Sequence, residues 1–138
     1  MIFHSIISSR LKEKYENFTI YKERAEKLKR PAFSIFLVNQ EQRKGIGNVY
    51  KRKSDFMICC YLERDDDTDY IRLQEIANDL YSHLEYFEYK EEHLRGFDMH
   101  HRIQDNVLQF FVSFNSVHYK EKRNTKMENL ETKERRKR

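Results

Sequence analysis

A chain of 138 residues, 38% hydrophobic and 36% charged, is long enough to bury a core without help from disulfides or metal. Its ten Phe and nine Tyr carry that apolar surface on a few large side chains, which argues against wholesale disorder. The net charge of +4 belongs to the C-terminal end: residues 120–138 hold nine Lys+Arg and four Glu, whereas residues 1–119 hold eighteen Lys+Arg and nineteen Asp+Glu, so a nucleic-acid surface covering the whole domain is disfavoured.

Residues 2–16 place Phe3, Ile7 and Leu11 four apart, with Ile6 and Tyr15 beside that stripe and Arg10, Lys12, Glu13 and Lys14 largely opposite. This spacing predicts an amphipathic helix. No basic region precedes its apolar start and the run is short, so neither a signal peptide nor a bilayer span is expected, and a soluble cytoplasmic protein is the default. A short strand over Phe18 to Tyr21 follows. Lys22 to Arg30 reads as a loop or a short helical turn, because Ala25 and Leu28 give too little apolar surface for a full helix.

Pro31, the only proline, opens a strand (AFSIFLVNQ) with Phe33, Ile35 and Leu37 on one face and Phe36 and Val38 on the other. Next, EQRKGIGNVYKRK surrounds Gly45 and Gly47 with Arg43, Lys44, Lys51, Arg52 and Lys53; it reads as a flexible loop or an extended hairpin arm. Asp55 to Leu62 is a further strand, with Phe56, Ile58, Cys60 and Leu62 opposite Met57, Cys59 and Tyr61. Cys59 and Cys60 are adjacent on it and point apart, so they are expected as free thiols, which fits a reducing compartment.

The acidic run Asp65 to Asp67, with Asp69, suits a helix N-terminus. A helix from about Asp69 to Phe87 would present Leu73, Ile76, Ala77, Leu80, Leu84 and Phe87 as its stripe, and EYKEEH would be a polar connection. A β-hairpin then spans Arg95 to Tyr119, turning at Asp105-Asn106, two residues that tolerate positive φ. Leu108, Phe110, Val112 and Phe114 form the core face of its outgoing strand; Phe97, Met99, His101 and Ile103 share one face of the incoming strand. Phe111 interrupts the polar face, so it is either covered or held for a partner.

The pattern is therefore α+β: an antiparallel or mixed sheet with two helices packed on one face, in the order α-β-β-β-α-β-β, over residues 1–119. Residues 120–138 form a basic tail with only Met127 and Leu130 apolar, expected to be flexible until bound. The second sheet face is left partly bare, with Phe36, Tyr61 and Phe111 as its occupants, and oligomerisation is the simplest inference.

No catalytic, cofactor or metal constellation emerges. His100 and His101 are strand neighbours that point apart, and no His or Cys pair has zinc spacing. The Asp65 to Asp69 run lacks the glycine and terminal glutamate of a calcium loop. GIGNVY lacks the third glycine, the Lys-Ser/Thr and the following helix of a phosphate loop. The basic cluster Arg43, Lys44, Lys51, Arg52 and Lys53, with Tyr50 available for stacking, could instead meet a charged partner; a solvated loop is the bland alternative.

Leu94 to Phe114 (LRGFDMHHRIQDNVLQFFVSF), with Pro31 to Leu37 (PAFSIFL), Tyr50 to Tyr61 (YKRKSDFMICCY) and the Met-Glu-x-Leu at Met127 to Leu130, resembles the phage tail terminator family found in prophages of Gram-positive bacteria. The resemblance covers roughly residues 1–130, and the final TKERRKR lies beyond it. It implies a structural, non-enzymatic subunit of a virion or phage-like tail, assembled in the bacterial cytoplasm. Such a subunit forms a homo-oligomeric ring, a hexamer by the resemblance, on the head-proximal end of the tail tube. There it stops polymerisation and joins tail to head. The implied partners are the tube protein, a head-side neck or connector protein and a sheath protein, with no membrane and no cofactor. Arg43, Lys44, Tyr50, Lys51, Arg52, Lys53, Phe36, Tyr61 and Phe111 are the candidate assembly contacts. Two alternatives stand beside it: another head-tail neck subunit, or a small nucleic-acid-binding module using the basic loop and tail.

Overall fold

The computed structural model describes residues 2–23, 27–63 and 69–119. The elements run α1 (Ile2–Lys14), β1 (Thr19–Tyr21), β2 (Ala32–Lys44), β3 (Val49–Tyr61), α2 (Asp69–His83), β4 (Tyr86–Tyr89), β5 (Glu92–Arg95), β6 (Phe97–Gln104) and β7 (Val107–Tyr119). Five strands form one sheet in the order β1-β2-β3-β7-β6, and β4 pairs with β5 separately. The sheet is mixed: β1 runs parallel to β2, with Thr19 across from Ala32, while β6 and β7 are antiparallel. The expected α+β class and element order hold, and the β4-β5 hairpin is an insertion between α2 and the last two strands.

The described residues divide into two units, one drawn from residues 1–40 and 53–115, the other from 41–52 with 116–119. Strands β2, β3 and β7 each contribute residues to both. In the first unit, Phe3, Ile6, Ile7 and Leu11 of α1 and Leu73, Ile76, Ala77 and Leu80 of α2 join one core with Phe33, Ile35, Phe56, Ile58, Leu108, Phe110, Val112 and Phe114 of the sheet. Both helices therefore use the face that their periodicity predicts. Phe3 stacks on Phe114 at 5.4 Å between ring centroids, and Tyr81 meets Phe110 edge-on at 4.9 Å. Fully burying each such side chain contributes about 1.5–3 kcal/mol, which makes this layer the main source of stability.

The two helices are also clasped by polar groups. Arg10 Nε donates to the His83 carbonyl at 2.8 Å, and His83 Nε2 donates to the Arg10 carbonyl at 2.7 Å. A carbonyl only accepts, so the neutral imidazole carries its proton on Nε2.

Three expectations change. Helix α2 ends at His83, not near Phe87: Leu84 and Phe87 are buried as the stripe requires, but Phe87 gets there from strand β4. The polar connection is thus half of a hairpin, turning through Lys90 and Glu91, both at positive φ. Leu37 lies on β2 but is 37% exposed, outside the core joined by Phe33 and Ile35. Phe97 does not share a face with Met99, His101 and Ile103, because Asp98 and Met99 together oppose one residue of β7 between the pairs Phe97–Ser113 and His100–Phe111. That extra residue is a β-bulge, and it flips every side chain before it to the other sheet face.

The Asp105-Asn106 turn forms as expected, with φ of 53° and 61° and Gln104 paired to Val107. The acidic run Asp65 to Asp67 and the tail 120–138 lie outside the described residues.

Candidate assembly site

Because both helices pack on one side, the opposite sheet face is only partly covered. There Ser34 and Phe36 of β2, Met57, Cys59 and Tyr61 of β3, and Gln109 of β7 line a groove of about 430 Å³, with Leu28 at its edge. Alternation puts these residues together: they are the positions between the core residues on three adjacent strands. Of the expected contacts, Phe36 and Tyr61 share this groove; Phe111, also half-buried, does not line it.

Tyr61 is held from two directions. The Arg30 guanidinium lies 5.6 Å from its ring centroid and also donates to the Leu62 carbonyl at 3.1 Å, so the segment before β2 is tied to this face. Burial raises the Tyr61 phenol above its ordinary range, and neighbouring Cys59 adds to that, while Ser34 and Arg30 act the other way. Burial likewise raises the Cys59 thiol, partly offset by a hydrogen bond with Tyr61. Neither group is activated as a nucleophile.

Phe111 sits between two cross-strand neighbours. His100 stacks on it at 4.6 Å with planes 10° apart, and the Arg102 guanidinium lies 5.6 Å from its centroid. It is thus flanked by two polar neighbours. Its neighbour His101 turns to the other side, where Tyr81 Oη lies 2.8 Å from Nδ1 and Gln74 Oε1 2.7 Å from Nε2. Adjacent histidines do point apart.

Lys53 also belongs to this unit and is already engaged. Its ammonium is 3.3 Å from Asp98, 3.9 Å from Asp55 and 5.7 Å from the Phe97 ring centroid. Asp55 in turn accepts from Asn39 at 3.1 Å and from the Ser113 hydroxyl. Burial pushes the Asp55 carboxyl up, but those hydrogen bonds and Lys53 outweigh it, and the net shift is downward.

The other expected contacts, Arg43, Lys44, Tyr50, Lys51 and Arg52, belong to the second unit, where β2 and β3 continue as the two strands of a hairpin arm. The expected alternatives of loop and arm resolve to the arm. Its tip is closed by Gly45 N donating to the Val49 carbonyl at 2.7 Å and by Gly47 at φ 71°, and Arg52 Nε donates to Gln42 Oε1 at 2.7 Å. Ile46 at the tip is 94% exposed. Sequence reasoning passed over Ile46, although one aliphatic between two glycines in a charged run is a legible signal. It also missed Leu28, which no periodicity marks.

Among the described residues no three His, Cys, Asp or Glu side chains gather as metal ligands, and no helix is long and apolar enough to cross a membrane. No curated protein matches the chain. A family model described as phage tail terminator protein matches residues 3–126. With nearly the whole described chain inside that match, the protein belongs to the phage tail terminator family, and it is a structural component of a phage tail.

Proposed function

We propose that this protein forms a ring that caps the head-proximal end of the tail tube, stops tube polymerisation and provides the surface to which the head is joined. The observation that supports this reading most directly is the partly covered sheet face, where Phe36, Met57 and Tyr61 line an apolar groove while both helices pack on the other side. Apolar surface of that kind on a small subunit marks an interaction site. Ring closure needs two different patches per subunit, and the groove face and the hairpin arm are two such patches. The ring would meet the tube protein on one side and a head-side neck protein on the other, with a sheath protein as a further partner. Nothing in that role requires catalysis.

Light scattering and electron microscopy of the purified protein, alone and with its tube protein, test the proposal. Rings and tubes of arrested length are expected. A strict monomer that does not associate even with the tube protein would overturn it, and preferential capture of the head-side connector in a pull-down would reassign the protein to the neck.

A further inference from the structure

The arm formed by Glu41–Arg52 carries four cations against one anion. Gly45 N donating to the Val49 carbonyl and Arg52 Nε donating to Gln42 Oε1 set Gly45 beside Val49 and Gln42 beside Arg52, and the same count places Arg43 across from Lys51. Like charges facing each other across a strand pair repel. Both are exposed, as is Lys44, and none of the three has an ion pair among the described residues. A repelling cation pair and a bare isoleucine at the tip call for a surface that is acidic and partly apolar.

The first unit has an acidic balance. Residues 1–40 and 53–115 hold fourteen Lys+Arg and eighteen Asp+Glu, a net charge of −4. Among the described residues its densest stretch is Glu85 to Glu92, which enters the β4-β5 hairpin with Glu85, Glu88, Glu91 and Glu92 all exposed against Lys90, while exposed Arg95, paired with Tyr86, is the hairpin's other cation. Glu88 lies 3.9 Å from His93; Glu85, Glu91 and Glu92 have no ion pair among the described residues. Beside them Tyr86 is 62% exposed, its ring stacked on His93 at 5.8 Å. The hairpin is a firm platform, because Phe87 on its inner face is buried and meets Phe114 edge-on at 6.2 Å.

We propose that the arm of one copy docks on the β4-β5 hairpin of a second copy, setting Arg43, Lys44 and Lys51 against the four glutamates and Ile46 against Tyr86. Arm and hairpin are different patches, so the contact is head-to-tail and repeats from subunit to subunit. A nucleic acid would satisfy the cations but offers no matching use for the isoleucine. The inference rests on the ring reading above and names one contact between its subunits, in addition to the groove face.

Charge reversal in the full chain tests it. Arg43→Glu with Lys51→Glu, and separately Glu85→Lys with Glu92→Lys, should each weaken self-association at least tenfold by light scattering across a concentration series. The four changes combined should recover most of the loss, and Ile46→Ser should weaken association without altering net charge. Thermal melts check that each variant is folded. Wild-type rings in both reversal variants would overturn the contact while leaving the ring reading intact. So would rings that persist in the Arg43→Glu, Lys51→Glu variant but no longer hold tube protein or duplex DNA, since the arm would then serve that partner. A wild-type protein that stays monomeric with tube protein present would overturn the ring reading itself.

Discussion

Phe97 stands directly across from Ser113, although four residues later His101 stands across from Phe110 on the other sheet face. The bulge between these pairs passes through Asp98 at φ 52°. Its consequence is chemical as well as geometric: Phe97 and Asp98 come to Lys53, which also reaches Asp55. One extra residue thereby gathers a cation, two carboxylates and a ring on the face that the helices leave uncovered.

Asp98 is therefore a backbone position first and a charge second. The left-handed region costs about 1–2 kcal/mol for most L-residues, while Asp, Asn and Gly enter it readily. Asp98→Val should lower the urea midpoint by a free energy of about that size with an unchanged slope, and Asp98→Gly should change it little. A Val variant as stable as the parent would show that the bulge relaxes without it.

Gly96, just before that bulge, has no room for a side chain. A Cβ there would lie 2.5 Å from the Leu84 carbonyl oxygen and 2.8 Å from a Val112 methyl, and the first of these is backbone. The same glycine donates its N–H to Leu84 and Glu85 carbonyls, both at 3.1 Å, so it cannot back away without losing them. Gly96→Ala should destabilise by about 1–3 kcal/mol, the range for overpacking, visible as a lowered melting temperature.

The chain's legibility follows from the same residues. Helical and strand periods, and a turn made of Asp and Asn, locate α1, α2, β6, β7 and the core before any coordinates, because each signal is local. The β4-β5 hairpin escapes because its turn is Lys90-Glu91, two residues with no preference for the positive φ they adopt. Phe97 is misplaced because a bulge adds one residue without any change of pattern. On the candidate face, Phe36 and Tyr61 are found by alternation, whereas Leu28 and Arg30 arrive from a stretch with no period at all.

Acid should loosen the helix clasp. Burial holds His83 below its ordinary value of 6.5, an effect the hydrogen bond to the Arg10 carbonyl offsets in part and the Arg10 charge reinforces. A depressed histidine contributes stability that is complete above pH 6.5 and is lost as pH falls through the lower folded value. Burial lowers His4 too, so both act with the same sign. The urea midpoint should fall between pH 7.5 and pH 5, and His83→Gln, whose amide can still donate to the Arg10 carbonyl, should shrink that fall without abolishing it. An identical pH profile in the variant would remove His83 from the account.

Phe110 and Phe111 are sequence neighbours with opposite duties, and substituting each separates folding from assembly. Phe110 is fully buried and meets Tyr81 edge-on, so Phe110→Ala should cost about 3–5 kcal/mol, the range for truncating a core aromatic. Phe111 is half-buried, and its ring contacts are His100 and Arg102, worth about 0.5–1.5 kcal/mol, so Phe111→Ser should leave a folded monomer with a modest loss of stability. If the uncovered face closes the ring, that same variant should self-associate far more weakly than the wild type at matched concentration. Urea titration and light scattering on both variants decide it: a Phe111→Ser protein that simply unfolds would make this ring part of the fold, and one that assembles normally would take Phe111 out of the subunit contact.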